Sequence, residues 1–174
     1  MKNKKIFRIA ITGILAALAL AFSFFEKLLL SAVPLPMGIK PGLSNIIVMF
    51  TCSSLGLIPA LGIAAVKAVF SALISGGASG FISLAGGIIS VFTMYLLGKL
   101  PKEKLSYTGI SVLSAVSHNI GQTLAASLIA GSGLFLSYLP VLLISGAVFG
   151  LITGTVLNIV FPYLTRLNIF DHKK

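Results

Sequence analysis

The chain has 174 residues, of which 57% are apolar and only 9% are charged, and its mean hydropathy is +1.09. This composition excludes a soluble globular domain. Because a bilayer span needs about 20 apolar residues, the sequence predicts an all-α polytopic membrane protein with one domain over residues 1–174. The chain has only three acidic residues, which disfavours an enzyme that needs paired carboxylates or an Asp-rich magnesium motif.

Helix-breaking residues divide this apolar sequence into six predicted transmembrane helices. A loop rich in Pro and Gly, at about 33–42, follows the first helix. The apolar stretch after it would form a helix of about 50 Å, far longer than a hydrocarbon core of about 30 Å, so we expect a break at Gly56 and Pro59. The predicted helices cover about 6–25, 43–55, 58–74, 81–97, 107–130 and 138–164.

The basic residues indicate the orientation of the helices. Of the 13, four lie at the amino-terminal start, three between the fourth and fifth helices and three in the carboxyl-terminal tail. Six helices place these ten on one side, and the positive-inside rule assigns that side and both termini to the cytoplasm. We therefore expect a protein of the cytoplasmic membrane that contacts membrane lipids. The net charge of +10 then reflects topology, and no nucleic-acid partner is expected.

Lys67 is the one cation without a topological role. It lies near the middle of the third predicted helix, where a charge costs about 2.5 to 3.5 kcal/mol on insertion scales. No acidic side chain is expected at that depth, because Glu26 follows the end of the first predicted helix. We expect the ammonium to face a cavity and bind an anionic ligand; the alternative is a lysine that snorkels or is neutral when buried.

A polar cluster in the fifth predicted helix contains His118, Asn119 and Gln122. Ser114 precedes His118 by four residues, slightly more than one helical turn, so positions 114, 118 and 122 share a face. We favour ligand contact for the cluster, and interhelical hydrogen bonds are the alternative. For Ser114 alone we favour the hydrogen bond.

Three further residues are candidate ligand contacts. Asn45 opens the second predicted helix, directly after the loop that carries Lys40. These two residues and the free N–H groups of the helix start would suit an anionic head group, or Ser44 is a plain helix cap. Ser83 lies in a cluster of small residues in the fourth helix, for which we favour a packing face; room for a ligand is the alternative.

Small residues repeat every four positions in two predicted helices. Gly13, Ala17 and Ala21 do so in the first helix, and glycines at 146, 150 and 154 do so in the last. Such stripes allow helices to approach closely. The sequence contains no phosphate-binding loop and no Cys/His spacing for a metal, so we expect no ATPase activity, cofactor or metal.

Several strings in the sequence resemble known transporters. The Ala17-to-Ala21 motif, the loop rich in Pro and Gly and the break at 55–59 resemble the S-components of energy-coupling-factor transporters. The strings KPGLSN (40–45), SLAGG (83–87) and SHNIGQ (117–122) more specifically resemble the Gx transporter family, also labelled heptaprenyl diphosphate synthase component I. The resemblance covers nearly the whole chain.

The two labels imply different functions. The S-component resemblance implies uptake of a substrate, with Gly13, Ala17 and Ala21 docked on a transmembrane coupling subunit that separate ATPases drive. Together with Lys67, we expect this substrate to be a small, anionic, partly apolar molecule. The resemblance also implies that residues 33–42 close over the substrate. The synthase label implies a subunit of a prenyl-elongating enzyme, and without an Asp-rich motif this chain would be a non-catalytic accessory that holds a prenyl diphosphate or a quinone-related lipid. A purely structural subunit is a third possibility.

Overall fold

The structure, a computed structural model, describes residues 2–32, 42–100 and 105–166. These residues form seven helices, of which α6 is a single turn. Their bounds are α1 Lys2–Ala32, α2 Leu43–Leu55, α3 Leu57–Ser75, α4 Gly77–Gly98, α5 Tyr107–Ala130, α6 Leu134–Ser137 and α7 Leu139–Arg166. The all-helical prediction is therefore confirmed for the described residues.

The break between α2 and α3 lies where the sequence predicts it. Gly56 separates the two helices with a φ of 97°, a conformation that residues with a side chain rarely adopt. Pro59 lies in the first turn of α3, where its missing N–H removes no helical hydrogen bond. The bounds of α2 and α5 coincide with the predicted ones.

Two helices extend beyond their predicted bounds by four residues or more. α1 continues past Phe25 to Ala32, because no Pro or Gly interrupts it and leucines at 28–30 continue its apolar character. α4 begins at Gly77 rather than at 81. A Cβ atom at Gly80 would lie 2.5 Å from the Cβ of Ala72, so the glycine allows α3 and α4 to meet as a close hairpin.

Antiparallel pairing of neighbouring helices defines two ends of the bundle. Arg8 in α1 donates a 2.7 Å hydrogen bond to the carbonyl of Leu55, where α2 ends. Glu26, 18 residues further along α1, accepts a 3.0 Å hydrogen bond from the N–H of Ser44, where α2 begins. We call these the Arg8 end and the Glu26 end. The later helices alternate in direction, and Phe161 of α7 lies at the Arg8 end with Arg8.

The glycine stripe of α7 packs against α5, in agreement with its predicted role. A Cβ atom at Gly150 would lie 2.7 Å from the Cα of Val112, and one at Gly154 would lie 2.6 Å from the Cα of Thr108. Two polar side-chain pairs also join the helices: Ser111 with Thr153 at 2.9 Å and Thr108 with Asn158 at 2.6 Å. These contacts hold the amino-terminal half of α5 against α7.

Four described helical segments are long and apolar enough to cross a membrane: Lys5–Leu30, Leu57–Ser75, Gly77–Leu97 and Leu139–Tyr163. α2 has 13 residues and extends about 20 Å, less than a hydrocarbon core of about 30 Å. α5, with 24 residues, is long enough to cross a membrane, but its several polar side chains make it less apolar than these four segments. Large apolar side chains such as Ile58 and Leu73, each 80% exposed, form a surface suited to lipid. The chain is a membrane-embedded helical protein, and the six-span count remains a prediction.

Candidate functional site

A polar cavity of about 100 Å³ lies inside the bundle toward the Glu26 end. All six long helices contribute side chains to its lining. Six of the seven residues predicted to contact a ligand line it: Asn45, Lys67, Ser83, His118, Asn119 and Gln122. The seventh, Lys40, lies outside the described residues. The sequence-predicted residues come from four different helices, and the fold brings them together. We call this space the central cavity.

The Lys67 side chain is half-buried and points into the central cavity. Its Nζ donates a 2.8 Å hydrogen bond to Oδ1 of Asn45. The two residues meet because α2 and α3 form an antiparallel hairpin around Gly56, and each lies 11 residues from that glycine (56 − 45 and 67 − 56). The bond holds the ammonium inside the bundle, which disfavours a snorkelling lysine.

Glu26 lines the same cavity, contrary to the prediction for this residue. It lies within α1 rather than beyond its end, and it is 6% exposed. The expectation that Lys67 has no acidic side chain at its depth is therefore wrong. The signal in the sequence was the apolar run at 28–30, which places Glu26 inside an apolar segment instead of at its edge.

The start of α2 is bound by Glu26. The two carboxylate oxygens accept hydrogen bonds from the N–H and the hydroxyl of Ser44, at 3.0 and 3.3 Å. The N-cap, Gly42, has a φ of 73° and provides no side-chain cap. Ser44 is therefore not the plain cap that one interpretation predicted. The sequence suggested that the positive start of α2 could bind an anionic head group. In the structure the Glu26 carboxylate occupies this position.

His118 and Gln122 reach the cavity because α4 is narrow where it crosses α5. A Cβ atom at Gly86 would lie 2.5 Å from Cγ of Gln122 and 3.1 Å from Cε1 of His118. On the other helix, a Cβ atom at Gly121 would lie 3.1 Å from the Cα of Gly86. Glycines of the SLAGG and SHNIGQ strings therefore allow α4 and α5 to pack closely. The polar residues of the same strings are the ones predicted to contact a ligand.

Two other polar residues of α5 make hydrogen bonds to the backbone. Nδ2 of Asn119 donates to the carbonyl of Leu142 in α7 at 2.6 Å, beside Gly146, where a Cβ atom would lie 2.6 Å from that nitrogen. Ser114 donates to the carbonyl of Ile110 in its own helix. Asn119 thus makes the interhelical bond that was the alternative to ligand contact, although it also lines the cavity.

The charged groups of the central cavity suit an anion. Its described lining includes Lys27, Lys67 and Glu26, an excess of one positive charge. Nζ of Lys27 also donates to Oγ of Ser75 at 2.5 Å. The volume is below the roughly 300 to 1,000 Å³ of pockets that enclose drug-sized ligands, so the space suits a compact polar group. Among the described residues, no set of three His, Cys, Asp or Glu side chains is placed to hold a metal ion.

The small residues of α1 lie on the outside of the bundle. Gly13, Ala17 and Ala21 are all exposed, and a Cβ atom at Gly13 would have no neighbour within 4 Å. This stripe differs from that of α7, which is covered by α5. Docking of a partner on α1 remains a prediction.

The fold and the central cavity define a class: helical membrane proteins with a polar chamber inside the bundle. A family model described as heptaprenyl diphosphate synthase component I matches residues 15–160, and the chain belongs to that family. The resemblance inferred from the three polar strings is confirmed, and the matched range includes all the described residues predicted to bind a ligand. No curated protein and no solved structure matches the chain.

Proposed function

We propose that the protein binds a small, anionic, partly apolar molecule in the central cavity and carries it across the membrane. The observation that carries this proposal is the position of Lys67, whose ammonium is held inside the bundle by Asn45. A charge at that depth is costly and in membrane proteins usually has a functional role. His118, Gln122 and Ser83 line the same space and supply hydrogen-bonding groups.

The position of Glu26 bears on the charge expected of the proposed ligand. Its carboxylate is engaged by Ser44 at the positive end of α2, so it is balanced within the protein. In this proposal the ligand supplies an anionic group, such as a carboxylate or a phosphate, which Lys67 binds as a charge-assisted donor. The small volume suits the head group, and an apolar part would extend toward the Glu26 end.

The proposed topology has six membrane-crossing helices, of which α2, with 13 residues, is the shortest. The alternating helix directions support it, because they place both described termini at the Arg8 end. The positive-inside rule then predicts that the Arg8 end faces the cytoplasm. The central cavity is accordingly reached from the outer side.

Transport in this proposal depends on partner subunits and not on catalysis by this chain. The exposed stripe of Gly13, Ala17 and Ala21 would dock on a transmembrane coupling subunit, as in the S-components that the sequence resembles. Gly13→Leu tests the docking, since it adds bulk where a Cβ atom meets nothing. We expect partner chains to be lost from the purified complex, whereas Gly62→Leu on exposed α3 surface keeps them.

The family description favours a second candidate function. A chain grouped with component I of a heptaprenyl diphosphate synthase would serve as an accessory subunit that holds a prenyl diphosphate or a related lipid. Mass spectrometry of the gently solubilised protein distinguishes the two proposals. A small water-soluble anion supports transport, a long isoprenoid that Lys67→Met loses supports the accessory role, and the absence of any bound molecule contradicts both.

A further inference from the structure

A second cavity, of about 620 Å³, lies at the Arg8 end between α1, α2, α4, α5 and α7. We call it the lower cavity. Met94 is the only described residue that lines both cavities. The volume falls within the roughly 300 to 1,000 Å³ that small-molecule sites occupy. Neither the sequence motifs nor the proposed transport function accounts for this space.

Positive charge is concentrated around the lower cavity. Arg8 and Lys99 line it, and its described lining contains no acidic side chain. The guanidinium of Arg8 has five N–H donors, and its bond to the Leu55 carbonyl uses one of them. Nζ of Lys99 lies 4.4 Å from the ring centroid of Tyr95, which keeps this ammonium at the cavity.

Four helix ends also lie at the lower cavity. α3 begins immediately after Gly56 without a side-chain cap, and α5 begins immediately after Ser106. Both positions line the lower cavity, so the positive ends of two helix dipoles reach it. The negative ends of α2 and α4 also lie here and offset them. The net positive charge of the described lining therefore comes from Arg8 and Lys99. Oγ of Ser54, another lining atom, is buried without a hydrogen-bond partner among the described residues.

The remaining lining of the lower cavity is apolar and aromatic. Ile11, Met94 and Ile110 contribute aliphatic and thioether side chains, and the rings of Tyr107 and Phe161 lie 4.6 Å apart. A charged rim next to such a surface matches an amphipathic anion better than a simple ion. Bidentate Arg recognition favours phosphate and carboxylate groups.

We propose that the lower cavity binds a lipid that carries a phosphate or diphosphate group. Arg8 and Lys99 bind the head group, and the apolar chain lies along Ile11, Ile110 and Phe161. The head group belongs either to an isoprenoid diphosphate or to an anionic phospholipid of the membrane. This site is separate from the central cavity, so the proposal does not depend on the transport function.

Binding to purified protein in a neutral detergent tests this proposal. The probes are farnesyl diphosphate and phosphatidylglycerol, with farnesol and inorganic diphosphate as tail-only and head-only controls. We expect saturable binding of one probe lipid per chain, with both controls weaker by about tenfold or more. Farnesol lacks the charge-assisted bonds of the head group, and inorganic diphosphate lacks the apolar contact of the chain. Preference for one of the two lipids identifies the source of the head group. No saturable binding of either, or equal binding of inorganic diphosphate, would overturn the proposal.

Matched variants locate the bound lipid. Arg8→Gln should weaken binding by about tenfold, whereas Lys5→Gln, which removes one charge from exposed α1 surface outside the cavity lining, should not. Because Arg8→Gln also removes the bond to Leu55, Gly98→Phe provides an independent variant. It adds bulk at a lining position where a Cβ atom meets nothing within 4 Å, and it should weaken binding with Arg8 intact.

Lys67→Met distinguishes this site from the central cavity. We expect lipid binding to be unchanged in that variant, even if the ligand of the central cavity is lost. Equal losses in the Arg8→Gln and Lys5→Gln variants would show only a general attraction to positive charge and would contradict the assigned site. Full binding by the Gly98→Phe variant would contradict it as well.

Discussion

Glu26 connects two helices on either side of the long loop after α1. Its carboxylate accepts the N–H of Ser44, one of the groups that a helix leaves without an internal partner. A buried carboxylate with such bonds also fixes the start of α2, and thereby the position of Asn45 beside Lys67. Glu26, which the sequence analysis placed at the membrane edge, thus helps to position Asn45 and Lys67 in the central cavity.

Removal of this carboxylate should destabilise the protein. For Glu26→Ala we expect a loss of about 1.5 to 3 kcal/mol in the free energy of unfolding, because hydrogen bonds to a charged group contribute on this order. Ser44→Ala removes only the longer hydroxyl bond and should cost less. Unfolding in detergent, followed by helical circular dichroism, measures both. Equal stability of Glu26→Ala and the wild type would contradict this role.

The contact between Lys67 and Asn45 was accessible from the sequence in principle. The break at Gly56 was predicted, and a tight antiparallel hairpin brings residues at equal distances from its turn to the same height. The interaction of Glu26 was not accessible, because it depends on how the chain returns after residues 33–41, which no local pattern specifies.

Asn45→Asp tests whether Lys67 is the group that binds the anion. The substitution gives the ammonium a fixed carboxylate partner at the position of the present amide oxygen. We expect the amount of anionic molecule retained by the purified protein to fall about tenfold or more. Ser71→Ala, which removes a cavity hydroxyl paired with Ser79, is the control and should retain the molecule. Undiminished retention by Asn45→Asp would contradict the role of Lys67.

At the scale of helices, the pairing of α5 with α7 keeps the polar face of α5 inside the bundle. α5 carries His118 and Gln122, and its polar side chains would be costly in lipid. Glycine spacing in α7 predicted a close helix contact on this face, because small residues at every fourth position form a groove, but it did not predict that α5 is the partner. The sequence did not predict the single turn of α6, since its Gly-Ser surroundings are typical of a loop.

Gly150→Ala should separate these two helices. The added methyl group would lie 2.7 Å from the Cα of Val112, so the backbones must move apart. We expect a loss of about 1 to 3 kcal/mol in the free energy of unfolding, as for other overpacked cores. Gly62→Ala, at an exposed helical position with no neighbour within 4 Å, should instead be neutral or stabilise by about 0.5 to 1 kcal/mol. An unchanged free energy of unfolding in Gly150→Ala would contradict the close packing of α5 against α7.

At the scale of the whole molecule, the sequence predicted the order and type of the long helices because apolar runs and helix breakers are local signals. The two cavities required the structure, since each is formed by at least five helices. Lys67 and His118 are 51 positions apart (118 − 67), and only the packing of α3, α4 and α5 brings them to one space.

Single cysteines at chosen positions test the six-crossing topology. Cys52 is buried and is replaced by Ala to give a background without thiols. We expect cysteine at Lys5 or Lys174 to react with an impermeant maleimide only in inside-out vesicles, and cysteine at Ala78 or Leu134 only in intact cells. Reaction of Lys5→Cys and Lys174→Cys from opposite sides would require an odd number of crossings and would contradict the topology.

The central claim is that Lys67 binds an anionic molecule inside the bundle. Native mass spectrometry of the purified protein measures it most directly, as the fraction of chains that retain a bound small molecule. We predict that Lys67→Met, which removes the ammonium and keeps most of the side-chain length, lowers this fraction about tenfold or more, while Lys5→Met leaves it unchanged. A Lys67→Met protein that folds and retains the molecule like the wild type would contradict the claim.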